Sequence, residues 1–198
     1  NPAPDAFPVA EVQEIAADIL KNRPIDALQY GVTEGYPELI SLIKTRMKSK
    51  YGIGRDFDSI IITSGAQQVM DLSTKVLCNE GDVVICESPS FVGVPVDADG
   101  MNIEALEKAL DENPNAKMIY TIPNFQNPAG VTMSLEKRHR LYELAKAHNV
   151  MILEDNPYGD LRVAGEDVPN IKSFDEDGIV IYSGSFSKIL APGIRIGF

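Results

Sequence analysis

The sequence predicts an α/β fold, a mostly parallel sheet sandwiched by helices. Three observations predict it. Short apolar runs recur along the 198 residues, at 59–63, 82–86, 92–96, 117–122, 150–153 and 179–182. Stretches of helical periodicity fall between most of them. The runs are apolar throughout rather than alternating, the pattern of strands buried on both faces.

The elements follow in order. Residues 1–8 are rich in proline and read as irregular. Residues 9–20 have helical spacing, with Val12, Ile15, Ala16 and Ile19 on one face. A polar stretch at 23–36 is rich in turn formers. Pro37 suits the first turn of a helix running to about Lys50, with Leu39, Ile40, Ile43 and Met47 turned inward. A strand at 59–63 leads into a helix at 66–78. Strands at 82–86 and 92–96 follow, then a helix at 103–110 and a strand at 117–122. Ser134 is a good cap for a helix reaching about His148, followed by strands at 150–153 and 179–182. The run Ile194-Arg195-Ile196-Gly197-Phe198 reads as a strand just beginning. The expected division is an N-terminal segment at 1–30 and one large domain at 31–198.

A net charge of -11 argues against a nucleic-acid surface, which wants a basic patch. It leaves room for an anionic small molecule, since a few local cations and N–H groups suffice for that. No apolar run approaches membrane-spanning length. Cys78 and Cys86 lack metal-ligand spacing and read as buried thiols of a reducing, cytoplasmic compartment. His139 and His148 fall on a surface helix, and no metal site is expected.

In such sheets ligands bind at the carboxyl ends of the strands. Each strand here is followed by a polar segment. After 59–63 comes Ser64-Gly65-Ala66-Gln67-Gln68 at the start of a helix, whose free N–H groups favour a phosphate, although any strand-to-helix turn looks alike. After 82–86 comes Glu87-Ser88-Pro89-Ser90-Phe91; Phe91 can stack on a flat ring or simply fill core. In Pro123-Asn124-Phe125-Gln126-Asn127-Pro128-Ala129-Gly130, the residue before a proline is pushed to extended backbone. Asn127 can then donate to a ligand oxygen, or the segment is only an Asn-Pro turn. Asp155 in Glu154-Asp155-Asn156-Pro157-Tyr158 is costly to bury without a cation, such as a protonated ring nitrogen, and Tyr158 can reach the same ligand. Last comes Lys188, behind Ser185 and Ser187 and ahead of Arg195. A lysine taken out of water can form a Schiff base, and two hydroxyls with a guanidinium suit a phosphate.

The run Ser185-Phe186-Ser187-Lys188-Ile189-Leu190-Ala191-Pro192-Gly193-Ile194-Arg195-Ile196-Gly197 resembles the cofactor-lysine signature of the class I/II aminotransferases of fold type I. Asn127-Pro128-Ala129-Gly130, Asp155-Asn156-Pro157-Tyr158 and Ser64-Gly65-Ala66-Gln67 support it in the right order. The resemblance covers nearly the whole chain. It is closest to the branch of 2-aminoadipate, kynurenine and multisubstrate aminotransferases and the effector domains of MocR-type regulators. It implies pyridoxal 5'-phosphate as cofactor, with an amino acid and a 2-oxo acid as substrates. Lys188 would carry the Schiff base and move the proton, and Asp155 would pair with the ring nitrogen. Asn127 and Tyr158 would bond the ring's phenolic oxygen, and Phe91 would stack on the ring. Gly65, Ala66, Gln67, Ser185, Ser187 and Arg195 would hold the phosphate. Tyr30, in Leu28-Gln29-Tyr30-Gly31-Val32-Thr33-Glu34-Gly35, resembles the segment that reaches a neighbouring subunit's site, which implies a homodimer.

The chain departs from the family pattern in four places. Ala66 stands where relatives have Ser or Thr, and Phe91 where many have Tyr. Phe91 runs straight into Val92, where the family has a further helical segment. The small C-terminal domain, with the arginine that binds the substrate's carboxylate, is not in this sequence. The leading expectation is an aminotransferase. The alternatives are an effector-sensing domain of a MocR-type regulator and a cofactor lyase on the same fold.

Overall fold

The computed structural model describes residues 3–88 and 93–198. Five strands form one parallel sheet in the order β2-β1-β5-β6-β7: β1 (Val83–Glu87), β2 (Gly93–Val94), β5 (Ala116–Thr121), β6 (Met151–Asp155) and β7 (Val180–Ser183). The expected α/β architecture is therefore present. Two further short strands, β3 (Val96–Asp97) and β4 (Gly100–Met101), pair antiparallel beside it.

Strand parity assigns the two faces. Met118 and Leu153 pack against Val69 of α4 (Ala66–Leu77). Ile85, Ile119 and Ile152 point the other way. They join Leu106 of α5 (Ile103–Glu112) and Leu141 and Ala145 of α6 (Leu135–Ala147) in the main core. Each face is sealed by helix, which is why the strands read as apolar throughout. The helix α3 (Pro37–Tyr51) turns Ile43 and Met47 into a third cluster with Ile53, as the spacing predicts, and ends at Gly52 in the left-handed conformation. Local chemistry sets the helix starts. The Ser134 hydroxyl accepts from Lys137 N, and Asn102 Oδ1 accepts from Ala105 N at 2.7 Å.

Several expectations are corrected. The run 59–63 is not a strand. A cavity separates it from β7, and only Thr63 finds a ladder partner, in Gly197. The expected strand at 92–96 is broken at Pro95, which cannot donate to a ladder, into β2 and β3. The polar stretch at 23–36 contains a short helix, α2 (Pro24–Leu28), begun by a proline in its first turn. At the end of the chain, Pro192–Ile194 form a 3-10 turn rather than a strand, and pairing begins only at Ile196. Both cysteines are half-buried rather than buried. The helix α1 (Val9–Asn22) buries none of its apolar face. Among the described residues no helix is long and apolar enough to cross a membrane.

Candidate active site

The carboxyl ends of the strands bring polar groups together. Asp155 closes β6 and is 5% exposed. The Tyr120 hydroxyl, from β5, donates to its Oδ2 at 2.9 Å. Its Oδ1 is buried and accepts no hydrogen bond among the described residues. Ser183 stands opposite Asp155 in the β6–β7 ladder, and its hydroxyl is also buried and unpartnered. Burial pushes the Asp155 carboxyl above its usual range, against the pull of the Tyr120 hydrogen bond and of the nearby Ser183 hydroxyl, which is close enough to act on the charge but not aligned for a hydrogen bond. A buried carboxylate with one bare oxygen is costly, and a cation at that oxygen would offset the cost.

A second cluster lies at the start of α4. Gly65 caps this helix at φ +80°, and the N–H groups of Ala66 and Gln67 have no backbone acceptor among the described residues. The Arg195 guanidinium folds over Gly65 and donates from Nη2 to Ser64 O at 3.0 Å. A Cβ on residue 65 would stand 2.6 Å from that nitrogen and displace it, and φ +80° is itself strained for any residue but glycine. Gly197 pairs with both Thr63 and Ser185, which ties this corner to the segment after β7. There the Ser185 hydroxyl donates to the Ser187 hydroxyl at 2.9 Å and accepts from Ser187 N. The free amides at a helix start, the guanidinium and the two hydroxyls form a donor-rich corner suited to an anion.

Lys188 follows this corner on a turn, half-buried, and makes no hydrogen bond or ion pair among the described residues. Tyr158, half-buried three residues past Asp155, has a hydroxyl without a protein partner. Asn127 is exposed, its peptide bond to Pro128 is cis, and its amide is likewise unpartnered. No contact draws Asn127, Tyr158 or Lys188 to Asp155. Tyr30 is 99% exposed and lies apart from the rest. Phe91 falls outside the described residues.

Some residues around the site gave no sign in the sequence. Arg138, on α6, is fully buried. It donates to the carbonyls of Pro123, Met133, Val168 and Pro169 and to Asn124 Oδ1. Burial brings its pKa down to about 10. The Asn124 amide in turn donates to Asn156 Oδ1, and the Asn156 amide donates to the Tyr182 hydroxyl at 2.9 Å. The buried Glu87 accepts from the Thr121 hydroxyl and from Ile122 N, fixing the start of the loop that carries Asn127. An arginine or an asparagine in an amphipathic stretch reads as solvated, so only the burial reveals these roles. A cavity of about 640 Å³ contains none of the sequence-predicted site residues. It lies between α3, α4 and β7, and Met47, Ile60, Leu72 and Phe198 line it.

With this arrangement in view, the chain belongs to the aminotransferase class I and II family, whose model matches residues 3–198. It is 45% identical to an aromatic-amino-acid aminotransferase of Thermococcus litoralis, covering all of this chain and 52% of that protein. It is 35% identical to a 2-aminoadipate transaminase of Thermus thermophilus, covering all of this chain and 52% of that one. The crystal structure of the kynurenine aminotransferase of Pyrococcus horikoshii, 41% identical, superposes with a TM-score of 0.93 over 99% of this chain and 53% of that one. A probable MocR regulatory protein of Rhizobium meliloti is 28% identical over 98% of this chain and 41% of its own length. The chain spans about half the length of the curated relatives it matches.

Proposed function

We propose that this chain is the pyridoxal 5'-phosphate-binding part of an aminotransferase that moves an amino group from an amino acid to a 2-oxo acid, with Lys188 as the cofactor's anchor. The observation that carries the reading is the bare, buried Oδ1 of Asp155. It calls for a cation, and a protonated pyridine nitrogen is one. The donor-rich corner at Gly65 and Arg195 answers to the phosphate of the same molecule. The residues present therefore fit the cofactor at both ends.

When bound, the cofactor supplies an electron sink that acidifies the amino acid's alpha carbon. The protein's own groups do the rest. Asp155 Oδ1 holds the positive charge on the ring nitrogen. Arg195, Ser185 and Ser187, with the amides of Ala66 and Gln67, fix the phosphate and so the ring's position. Asn127 and Tyr158 would hydrogen-bond the ring's oxygen, and the family resemblance gives Phe91, outside the described residues, the role of stacking on the ring. Lys188 Nζ, without a partner among the described residues, would anchor the cofactor and, once displaced by the incoming amino group, would be free to take up and return a proton.

Residues 31–198 form the cofactor domain, and residues 1–30 an arm whose helices bury nothing in this chain. The exposed Tyr30 supports a homodimer in which it reaches the neighbouring site. Neither Cys78 nor Cys86 forms a disulfide among the described residues, which supports a reducing, cytoplasmic setting. The likeness to the MocR protein supports a second reading, an effector-sensing domain using the same residues.

The test is to add pyridoxal 5'-phosphate to the intact protein, reduce with borohydride, digest, and locate the pyridoxyl group by mass. A modified Lys188 is the expected result. An unmodified Lys188 in folded protein overturns the reading. Turnover with a 2-oxo acid then separates the enzyme from the sensor.

A further inference from the structure

Asp155 has two oxygens in different states, and the difference has a visible source. Tyr120 pairs with Leu153 across the β5–β6 ladder, so Asp155 lies two residues further along the same face. The Tyr120 phenol spans that offset and bonds Oδ2 at 2.9 Å. We propose that Tyr120 is a positioning residue: by holding Oδ2 it fixes the carboxylate plane and leaves Oδ1 as the one oxygen presented to a cationic ring nitrogen. This rests on the cofactor reading given above.

A carboxylate without a held oxygen turns about its terminal bond and presents either oxygen, so part of the binding free energy goes into ordering it. A single fixed donor removes that freedom in advance. Burial and the neighbouring Asp155 raise the phenol's pKa, so Tyr120 remains a donor at every working pH. The other titratable groups acting on Tyr120 are Glu87 and Cys86 of β1. On β7, the uncharged Ser183 hydroxyl also lowers the Asp155 pKa, but it makes no aligned hydrogen bond to the carboxylate, so Tyr120 is the donor that holds it. The tyrosine ring packs with Met118, Leu153 and Val69. Tyr120→Phe keeps that packing and removes only the hydroxyl.

The experiment titrates the intact protein with pyridoxal 5'-phosphate by visible absorption, in wild type, Tyr120→Phe, Asp155→Asn and the double variant, with circular dichroism to show that each is folded. Tyr120→Phe is expected to bind about 5- to 10-fold more weakly, the cost of ordering on binding one side chain that the wild type holds in advance. It is also expected to move the pH of the bound cofactor's colour change by about half a unit or more. Both effects should vanish in the Asp155→Asn background, because Tyr120 acts through Asp155. Unchanged affinity and colour change in Tyr120→Phe overturn the inference, as does an equal loss in both backgrounds. Wild-type protein that takes up no cofactor at Lys188 overturns the functional reading and this inference together, and is distinguished by needing no comparison between variants.

Discussion

At Asp155 the fold holds one carboxylate oxygen and strands the other. Because burial raises its pKa above the unfolded value, the ionised form costs folding stability as pH rises through the folded pKa, and that cost is absent below the unfolded value near 4. Asp155→Asn is therefore expected to raise the unfolding midpoint of cofactor-free protein at neutral pH while weakening cofactor binding. Thermal melts with and without pyridoxal 5'-phosphate check both signs; a variant less stable than wild type in both states contradicts the argument. Lys188→Ala should lose borohydride labelling and at least ~100-fold in turnover with the fold retained, as measured by mass and by assay. Asp155 at the end of a buried strand was legible because a carboxylate directly after an apolar run has few harmless explanations. Tyr120 and Arg138 were not. A tyrosine in a strand looks like core, an arginine in an amphipathic helix looks solvated, and their roles depend on partners distant in sequence.

Among the elements, helices were read more accurately than strands, because a helix is declared by its own periodicity and caps while a strand also needs a neighbour. Ser134 was legible as a cap, and its hydroxyl accepts from Lys137 N. Ser134→Ala should cost about 1 kcal/mol by urea denaturation. The run at 59–63 has every local mark of a strand, but β propensity cannot say whether a partner lies alongside. The pair β3 and β4 was invisible because two-residue strands carry no period. Gly100 shows how tightly that pair sits on the core. It has φ +116°, and an added Cβ would lie 2.8 Å from Met133 Cα. An unstrained glycine-to-alanine replacement stabilises, but Gly100→Ala should destabilise by more than about 1 kcal/mol, read from the same denaturation curves.

For the molecule as a whole, two sets of carboxylates pull the pH profile in opposite directions. Burial raises Glu87, Glu154 and Asp155, and these relieve the fold as they protonate. Asp160 is buried too, but hydrogen bonds from Lys50, Tyr51 and Arg46 outweigh that burial and hold it low. Asp175 is likewise held low by Lys172 and Val180 N. Groups held low stabilise above the unfolded pKa, and that contribution is lost as pH falls through their folded values. Stability is thus expected to rise modestly as pH falls from neutral toward the unfolded carboxylate values near about 4, and to fall below them. Urea midpoints across that range test it, and a monotonic profile contradicts it. Of the architecture, the parallel sheet and its two helical covers were legible from apolar periodicity, whereas the cavity beside β7 was not, since it depends on how non-adjacent segments pack.

Arg138 has a consequence in time as well as in energy. One side chain holds the carbonyls of Pro123, Met133, Val168 and Pro169, so segments separated by up to 46 residues share a single latch. Arg138→Met leaves those acceptors bare and should cost about 3 kcal/mol or more. In the wild type these segments cannot loosen one at a time without stranding a buried guanidinium. Their amide protons are therefore expected to exchange with deuterated solvent as one kinetic unit, at one common opening rate, while the surface turn at 163–166 exchanges on its own clock.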